Sequence, residues 1–486
     1  MALVVLVGLL LWKPRPATPA ATGKSLLVYC AAGLKAPVEA AARAYETRYG
    51  VPVQLQFGGS GALVSNLKVA RSGDLFIAAD DSFLHIAKSH QLVAEVLPLA
   101  RLVPVLVIRK DHVPKPRALV DLESGNFTVA MANPESAAIG KVCKELLIKA
   151  GHWTRIQPHI KVFKPTVNDI ASDVKLGTVD VGLVWDATAN QYPELEAIPV
   201  TEFQNASSTV SVAVLSFCEQ PAAALRFARF LAARDQGLTK FTQAGFNSVH
   251  GDVWAEQPQV VLYSGGVNRV AIEETVRAFE QREGVSVARI YNGCGILTAQ
   301  IRSGQRPDAY LACDVSFMRN VSEHFSPATN LSETRIVILV KNGNPRGIRD
   351  LAGLGAAGLQ VGLAHEQQSA LGAMTARLLR AQGLFERVQP NVKVQTPTAD
   401  LLVNQIRTGS LDAVVVFEAN TTAVREQLDV VTLSEPDARA VQPFAIGKNS
   451  DHVHLMDRLL EALQTATSRQ RFEQSGFLWR GASPQP

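Results

Sequence analysis

The sequence contains two copies of one long pattern, and this duplication limits what the chain can fold into. The segment GDLFIAADDSFL at 73–84 returns as PDAYLACDVSFM at 307–318. The segment LGTVDVGLVWDA at 176–187 returns in the same way as TGSLDAVVVFEA at 408–419. Copies separated by so many residues indicate a duplicated domain rather than a short structural repeat.

The length and composition agree with a chain of several domains. At 486 residues the chain is too long for one hydrophobic core. Apolar residues make up 47% of the sequence and charged residues 19%, as in ordinary soluble globular proteins. We therefore predict a first domain over 25–249, a linker over 250–259 and a divergent second domain over 260–482.

The N-terminal segment differs from the rest of the chain. Residues 2–12, ALVVLVGLLLW, are all apolar or Gly, and the Pro- and Ala-rich stretch KPRPATPAATGKS follows them. The apolar run is shorter than the roughly 20 residues that a membrane span needs, and a buried strand is the alternative interpretation. The pattern favours an export signal or a short anchor with a spacer over 1–24, and hence a periplasmic or other extracytoplasmic protein, either released or anchored to the inner membrane.

Two large functional classes are disfavoured by the sequence. The net charge is only +4 and aromatic residues make up 6%, without the basic runs or interleaved aromatic residues of nucleic-acid-binding proteins. No nucleophile, base and orienting group occur at a recognisable spacing, and the turn GGSGA at 58–62 lacks the last Gly of a nucleophile elbow. We predict neither catalysis nor nucleic-acid binding, and no cofactor.

Each half alternates short apolar runs with helical patterns. SLLVYCA at 25–31 is typical of a strand, APVEAAARAYETRYG at 36–50 of an amphipathic helix that ends in Gly, and VPVQLQF at 51–57 of the next strand. This order predicts an α/β fold with a largely parallel sheet, whose ligand sites lie beyond the carboxyl ends of the strands.

The Gly-rich turn FGGSGAL at 57–63 directly precedes a helical pattern, and YNGCGIL at 291–297 repeats it. The first turn of a helix has main-chain N–H groups without an intrahelical acceptor and carries the positive end of the helix dipole. Such a turn can therefore hold a small anion through its backbone.

The order of these motifs, with RLVPVLVIRKDH at 101–112 and VAMANPESAAIG at 129–140, resembles the periplasmic molybdate/tungstate-binding proteins of ABC importers. The resemblance implies two tandem periplasmic-binding-protein-like (type II) domains, each built from two α/β lobes around a cleft with two chain crossings. It also implies capture of a tetrahedral oxyanion by lobe closure and delivery to an ABC transporter permease.

The resemblance assigns ligand contacts to five positions in each half. In the first half a Gly stands where the family usually has Ser, and a Trp stands for a Tyr. The first-half positions are Gly33, Ser60, Ile139, Val167 and Trp185. The second-half positions are Val267, Cys294, Leu371, Ala399 and Phe417, which have lost most of the polar side chains.

Several side chains fit an oxyanion site poorly. Asp80 and Asp186 would repel an anion, and we interpret them as surface or hinge residues. In the second half, side chains that can bind a transition metal map near one cleft, namely Cys294, Cys313, Asp314, His365 and Glu418. They give an alternative function, a metal-binding or sensor module. A disulfide between the two cysteines, and a purely structural second half, are the other interpretations.

Overall fold

The computed structural model describes residues 24–481, which separate into two compact units at Trp254 and Ala255. This boundary lies inside the predicted linker. The predicted signal or anchor and spacer lies outside the described residues, apart from Lys24. Within the described part of the chain, no helix has both the length and the apolar character needed to cross a membrane.

The first domain contains eleven strands among the described residues. They are β1 Leu26–Ala31, β2 Val53–Gly58, β3 Leu75–Ala78, β4 Val93–Leu102, β5 Pro104–Arg109, β6 Val129–Ala132, β7 Ile160–Lys164, β8 Val181–Trp185, β9 Leu195–Ile198, β10 Ser208–Leu215 and β11 Asn247–Ser248. Its α-helices are α1 Lys35–Tyr49, α2 Ser60–Ala70, α3 Asp81–Ser89, α4 Ala138–Lys149, α5 Trp153–Ile156, α6 Val167–Leu176, α7 Asp186–Asn190, α8 Pro221–Leu231 and α9 Gly237–Gln243.

These strands form two sheets, one for each lobe of the domain. Lobe 1A has the order β11-β4-β10-β3-β1-β2, and lobe 1B has the order β7-β6-β8-β5-β9. The first crossing between the lobes lies at Val103, between β4 and β5, and the chain returns between β9 and β10.

Helix α1 shows how the sequence pattern places a helix on lobe 1A. Its buried residues include Val38, Ala41, Ala42 and Tyr45, which recur at the three- and four-residue spacing of one helix face. The helix ends at Gly50, whose φ of +66° belongs to the left-handed region that Gly adopts without steric strain. The predicted strand–helix–strand order of this segment is thereby confirmed.

The second domain repeats this architecture. Its strands are β12 Gln259–Gly265, β13 Ser286–Asn292, β14 Ala309–Leu311, β15 Thr329–Lys341, β16 Val361–Ala364, β17 Val392–Thr396, β18 Ala413–Phe417, β19 Leu428–Thr432, β20 Arg439–Ile446 and β21 Leu478–Trp479. Its α-helices are α10 Arg269–Glu283, α11 Cys294–Arg302, α12 Val315–Arg319, α13 Ala370–Ala381, α14 Phe385–Val388, α15 Ala399–Arg407, α16 Val453–Leu463 and α17 Ala466–Gln474.

The prediction of largely parallel sheets is wrong, because the strands that carry the chain between lobes run antiparallel to their neighbours. In the first domain β1 pairs in parallel with β2 and β3, whereas β10 pairs antiparallel with β3 and β4. In the second domain the crossing strand β15 is unbroken. It pairs antiparallel with β20 in one lobe and with β18 in the other, so ten strands join into one sheet.

A buried aspartate fixes the start of a central strand in the second domain. Asp412 precedes β18 and accepts hydrogen bonds from the Gln360 N–H and the Lys341 ammonium, each at 3.0 Å. Burial opposes its ionisation, but these two donors outweigh burial and hold the pKa of Asp412 below its usual value.

Replacing this carboxylate tests its contribution to stability. Asp412→Asn should lower the free energy of unfolding of the second domain by roughly 1–3 kcal/mol at pH 7, because charge-assisted hydrogen bonds are lost. Since the pKa is lower in the folded state, the loss should shrink as the pH falls through that pKa. Urea unfolding at pH 7 and pH 3 measures this, with the exposed Asp437→Asn as the control.

Candidate functional site

Several helix N-termini meet at the cleft of the first domain. Helix α2 begins at Ser60 in lobe 1A, and α4 and α6 begin at Ala138 and Val167 in lobe 1B. A short 3₁₀ helix over Ala32–Leu34 follows β1 on the lobe 1A side. Each start presents main-chain N–H groups and the positive end of a helix dipole to the same space.

The five residues assigned to the first half all line one small cavity at this point. The structure brings together Gly33, Ser60, Ile139, Val167 and Trp185. The other lining residues are small or uncharged, namely Ala31, Ala32, Gly58, Gly59, Ala79, Ala137, Ala138 and Thr166. The lining thus offers hydrogen-bond donors without any ionisable side chain.

Ser60 supplies a hydroxyl at the buried end of the cavity. Its side-chain oxygen accepts a hydrogen bond from the Ala79 N–H at 3.3 Å, and the residue is only 1% exposed. Accepting this bond uses an oxygen lone pair and leaves the hydroxyl proton for donation to a ligand.

The two lobes touch through backbone atoms beside this cavity. The N–H groups of Gly61 and Ala62, in the first turn of α2, donate to the Ser136 carbonyl of lobe 1B at 3.0 and 3.2 Å. The Asn168 side-chain amide donates across the cleft to the Ala32 carbonyl at 2.9 Å. This contact between the lobes was not predicted from the sequence. The glycines of the turn were the signal for it, because they allow a close approach of backbone atoms.

Two glycines of the turn are required by this approach of the lobes. A Cβ at residue 59 would lie 2.2 Å from the Ser136 carbonyl oxygen, and a Cβ at Gly61 would lie 2.4 Å from the Glu135 carbonyl oxygen. Backbone atoms cannot move aside as a flexible side chain can. Gly59 and Gly61 therefore let the lobes close, in addition to any contact with a ligand.

The Gly at position 33 is coupled to the residue opposite it. A Cβ at Gly33 would lie 2.9 Å from Val167 Cγ1 and 3.9 Å from Trp185 Cδ1. The serine that the resembled family has here would need a smaller residue than Val167. The space that the serine side chain would need at residue 33 is thus occupied by the Val167 side chain of α6.

Asp80 and Asp186 do not line this cavity. Asp80 caps helix α3 by accepting the Ser82 N–H at 2.8 Å. Asp186 accepts the N–H groups of Val103 at 3.2 Å and Ala187 at 2.8 Å, which ties it to the crossing between the lobes. Burial raises the pKa of Asp186 above its usual value. Asp186 thus lies at a crossing between the lobes, as its interpretation as a hinge residue expects. Asp80 is only 6% exposed and caps a helix, so its interpretation as a surface or hinge residue is wrong.

The second domain has the same helix starts with different side chains. Cys294, Leu371 and Ala399 lie in the first turns of α11, α13 and α15. Val267 lies in the short 3₁₀ helix Gly266–Asn268 after β12, and Phe417 is the last residue of β18. All five residues are buried. The closing contact is kept, because the N–H of residue 295 donates to the carbonyl of residue 368 at 2.9 Å.

The structure does not gather the residues of the predicted metal site. Cys294 and Cys313 are in contact, but Asp314 caps α12 by accepting the Ser316 N–H at 2.9 Å. His365 Nδ1 accepts a main-chain N–H two residues later, and Glu418 pairs with an arginine at 3.2 Å. Across residues 24–481 no three His, Cys, Asp or Glu side chains are placed to hold a metal ion. Asp314 and Glu418 each make their contact within their own segment, and the metal alternative stays a prediction.

Comparison with known proteins identifies the family. A family model described as bacterial extracellular solute-binding protein matches residues 26–247 and again residues 260–478. The chain belongs to the bacterial extracellular solute-binding proteins. The double match shows a tandem duplication of the solute-binding domain, and it confirms the predicted fold of two tandem type II domains.

Individual relatives match about one half of the chain. The molybdate-binding protein ModA of Mycobacterium tuberculosis is 28% identical over 199 residues, which are 40% of this chain and 74% of that protein. The periplasmic molybdate-binding protein of Azotobacter vinelandii matches at 19% identity with a TM-score of 0.38, covering 46% of this chain and 98% of that one. The sulfate-binding protein SubI of M. tuberculosis matches at 16% identity with a TM-score of 0.41, covering 47% and 88%.

A methyl group in the Gly-rich turn should hold the first domain open. Gly61→Ala favours helix α2 by up to about 1 kcal/mol. Its Cβ would also lie 2.8 Å from the Phe83 ring of the same lobe, and a small shift of that side chain keeps the lobe folded. The added Cβ meets the Glu135 carbonyl, however, and should separate α2 from lobe 1B. Hydrogen exchange of the Ala62 amide should then be at least about tenfold faster, because its acceptor on the other lobe is lost.

The matched control is Gly58→Ala in the same turn. Its Cβ would meet only the Leu63 side chain of the same lobe, at 3.2 Å. Exchange at Ala62 should therefore stay close to that of the parent protein. Equal protection in the parent and in Gly61→Ala would contradict a closing role for this glycine.

Proposed function

We propose that the protein is an extracytoplasmic receptor for a tetrahedral oxyanion of the molybdate or tungstate type. The first domain captures the anion in the cavity lined by Ser60 and Val167, and a membrane permease of an ABC importer receives it. The observation that supports this proposal is the convergence of helix N-termini from both lobes on a cavity lined by uncharged residues.

The lining chemistry favours a fully ionised anion. An oxyanion that enters a buried cavity loses its hydration and needs replacement hydrogen bonds. Main-chain N–H groups, the Ser60 hydroxyl and helix dipoles supply them without a positively charged side chain. An anion that retains a proton would also need an acceptor, and the side chains of the lining offer few.

Lobe closure is the proposed mechanism of capture. The contacts of Gly61 and Asn168 across the cleft hold the closed form, and an anion bound to helix starts of both lobes would stabilise the same form. The ligand therefore shifts the domain toward the closed state by binding that state more tightly. No bond is made or broken in this process.

The name of one relative supports the choice of anion. The M. tuberculosis protein is named a molybdate-binding protein, and it matches one half of this chain. The export-like N-terminal pattern and the family agree with a receptor outside the cytoplasm. Tungstate has the same shape and charge as molybdate and is expected to compete with it.

Removing a single main-chain donor tests the site. Val167 is the first residue of α6, a position at which Pro fits a helix, and Thr166 before it is extended, as Pro requires. Val167→Pro should therefore keep the helix and delete one N–H. Loss of a hydrogen bond to a charged ligand, roughly 1.5–3 kcal/mol, should weaken molybdate binding about 10- to 100-fold in calorimetric titration.

The equivalent change in the second domain is the matched control. Ala399 is the first residue of α15 and also follows an extended Thr. Ala399→Pro should leave the affinity of the first domain unchanged. Unaltered molybdate and tungstate binding in Val167→Pro, or no binding by the parent protein, would contradict the proposal.

A further inference from the structure

The second domain has two cysteines and a tyrosine buried together at positions where the first domain has a serine, an alanine and a phenylalanine. Four of its residues lie at positions that correspond between the two halves. Relative to the first half, the changes are Ala31 to Gly265, Ser60 to Cys294, Phe76 to Tyr310 and Ala79 to Cys313. We name these second-domain residues the thiol cluster.

The two cysteines of the thiol cluster are in direct contact. Their sulfur atoms lie 2.6 Å apart, and the Cys313 N–H donates to Cys294 Sγ at 3.1 Å. Both residues are buried. A tetrahedral metal ion between them would separate the sulfurs by about 3.8 Å, since each metal–sulfur bond is about 2.3 Å. The contact therefore favours a bond between the sulfurs over a shared metal ion.

Gly265 gives the two sulfurs their space. A Cβ at this residue would lie 2.0 Å from Cys313 Sγ and 3.0 Å from Cys294 Sγ. The first domain has an alanine here, opposite Ser60 and Ala79, whose side chains are smaller. The second domain thus has no methyl group at Gly265, where the first has Ala31, and it has two sulfurs in the space next to it. This indicates that the glycine and the two cysteines belong together.

Tyr310 gives the pair a polar neighbour. Its hydroxyl is buried beside Cys294, and its ring is fully packed. Burial acts to raise the pKa of the Cys294 thiol, but its contacts with Cys313 and Tyr310 outweigh burial and lower it. The contact with Cys294, together with burial, raises the pKa of Cys313.

We propose that Cys294 and Cys313 form a reversible dithiol–disulfide couple at the ligand-facing end of the second domain. The couple needs a disulfide oxidant of low molecular weight, such as oxidised glutathione. Cys294 as thiolate attacks one sulfur of the oxidant and releases one glutathione thiolate. Cys313 then loses its proton, attacks Cys294 Sγ and expels the second glutathione thiolate. The two protons lost from the cysteines end on two molecules of glutathione.

Access to the pair is set by the lobes of the second domain. Cys294 begins α11 beside the contact that closes the lobes, between the N–H of Gly295 and the carbonyl of Gln368. Opening that contact exposes the start of α11 to a small oxidant. The bond then links α11 to the loop that precedes α12. This inference does not depend on which anion the first domain binds.

The test is a peptide map of the full chain after incubation with oxidised glutathione and, separately, with dithiothreitol. Free thiols are alkylated under denaturing conditions before digestion with trypsin. The oxidised sample should contain peptide 290–302 joined to peptide 303–319, with alkylation only at Cys30, Cys143 and Cys218. The reduced sample should show all five cysteines alkylated and no joined peptide.

The variant Cys294→Ser with Cys313→Ala restores the residues of the first domain and should fold. Its unfolding temperature should be the same in both incubations, whereas that of the parent should rise on oxidation. Cys143→Ala, at a buried cysteine of the first domain, should behave as the parent. Alkylation of Cys294 and Cys313 after oxidation, or their linkage to any other cysteine, would overturn the proposal.

Discussion

The cleft of the first domain depends on how closely the backbones of two lobes can approach. Gly59 and Gly61 have no Cβ, so the start of α2 can reach the carbonyl groups of residues 135 and 136. The same approach brings the helix starts at Ser60, Ile139 and Val167 around one cavity. Because these donors are main-chain groups, their positions depend on the helices and not on the side chains at Gly33 and Trp185.

Comparison of the two domains distinguishes the features of the cleft that the backbone provides from those that side chains provide. Both domains keep the helix starts, the two glycines at which a Cβ would meet a carbonyl of the opposite lobe, and the closing hydrogen bond to such a carbonyl. At the position of Ser60, however, the second domain has a cysteine in contact with another cysteine. One scaffold therefore places a hydroxyl at this helix start in its first copy and a pair of cysteine sulfurs in its second. The crossing strand also differs, since β15 runs unbroken where the first domain is interrupted at Val103.

Much of this could be predicted from the sequence because it is local. The helix that begins at Ser60, the strand before it and the duplication are all visible in residue patterns. The contact with the Ser136 carbonyl was not predictable, since it joins backbone atoms of distant segments and depends on no particular side chain at 136. The antiparallel strands β4 and β10 were missed because strand and helix order does not show where a chain crosses between lobes. The contacts of the second-domain carboxylates were also not predictable, since Asp314 caps a helix and Glu418 forms an ion pair with an arginine.

Whether main-chain donors of both lobes hold an oxyanion can be measured directly by crystallography of the full chain with tungstate, using the anomalous scattering of tungsten. The expected result is a tungsten peak in the first-domain cavity, with its oxygens within hydrogen-bond distance of Ser60 Oγ and of the main-chain nitrogens of Gly33, Ile139 and Val167. A peak only at surface lysines or arginines, with nothing in the cavity, would contradict the assignment of this cleft as the binding site.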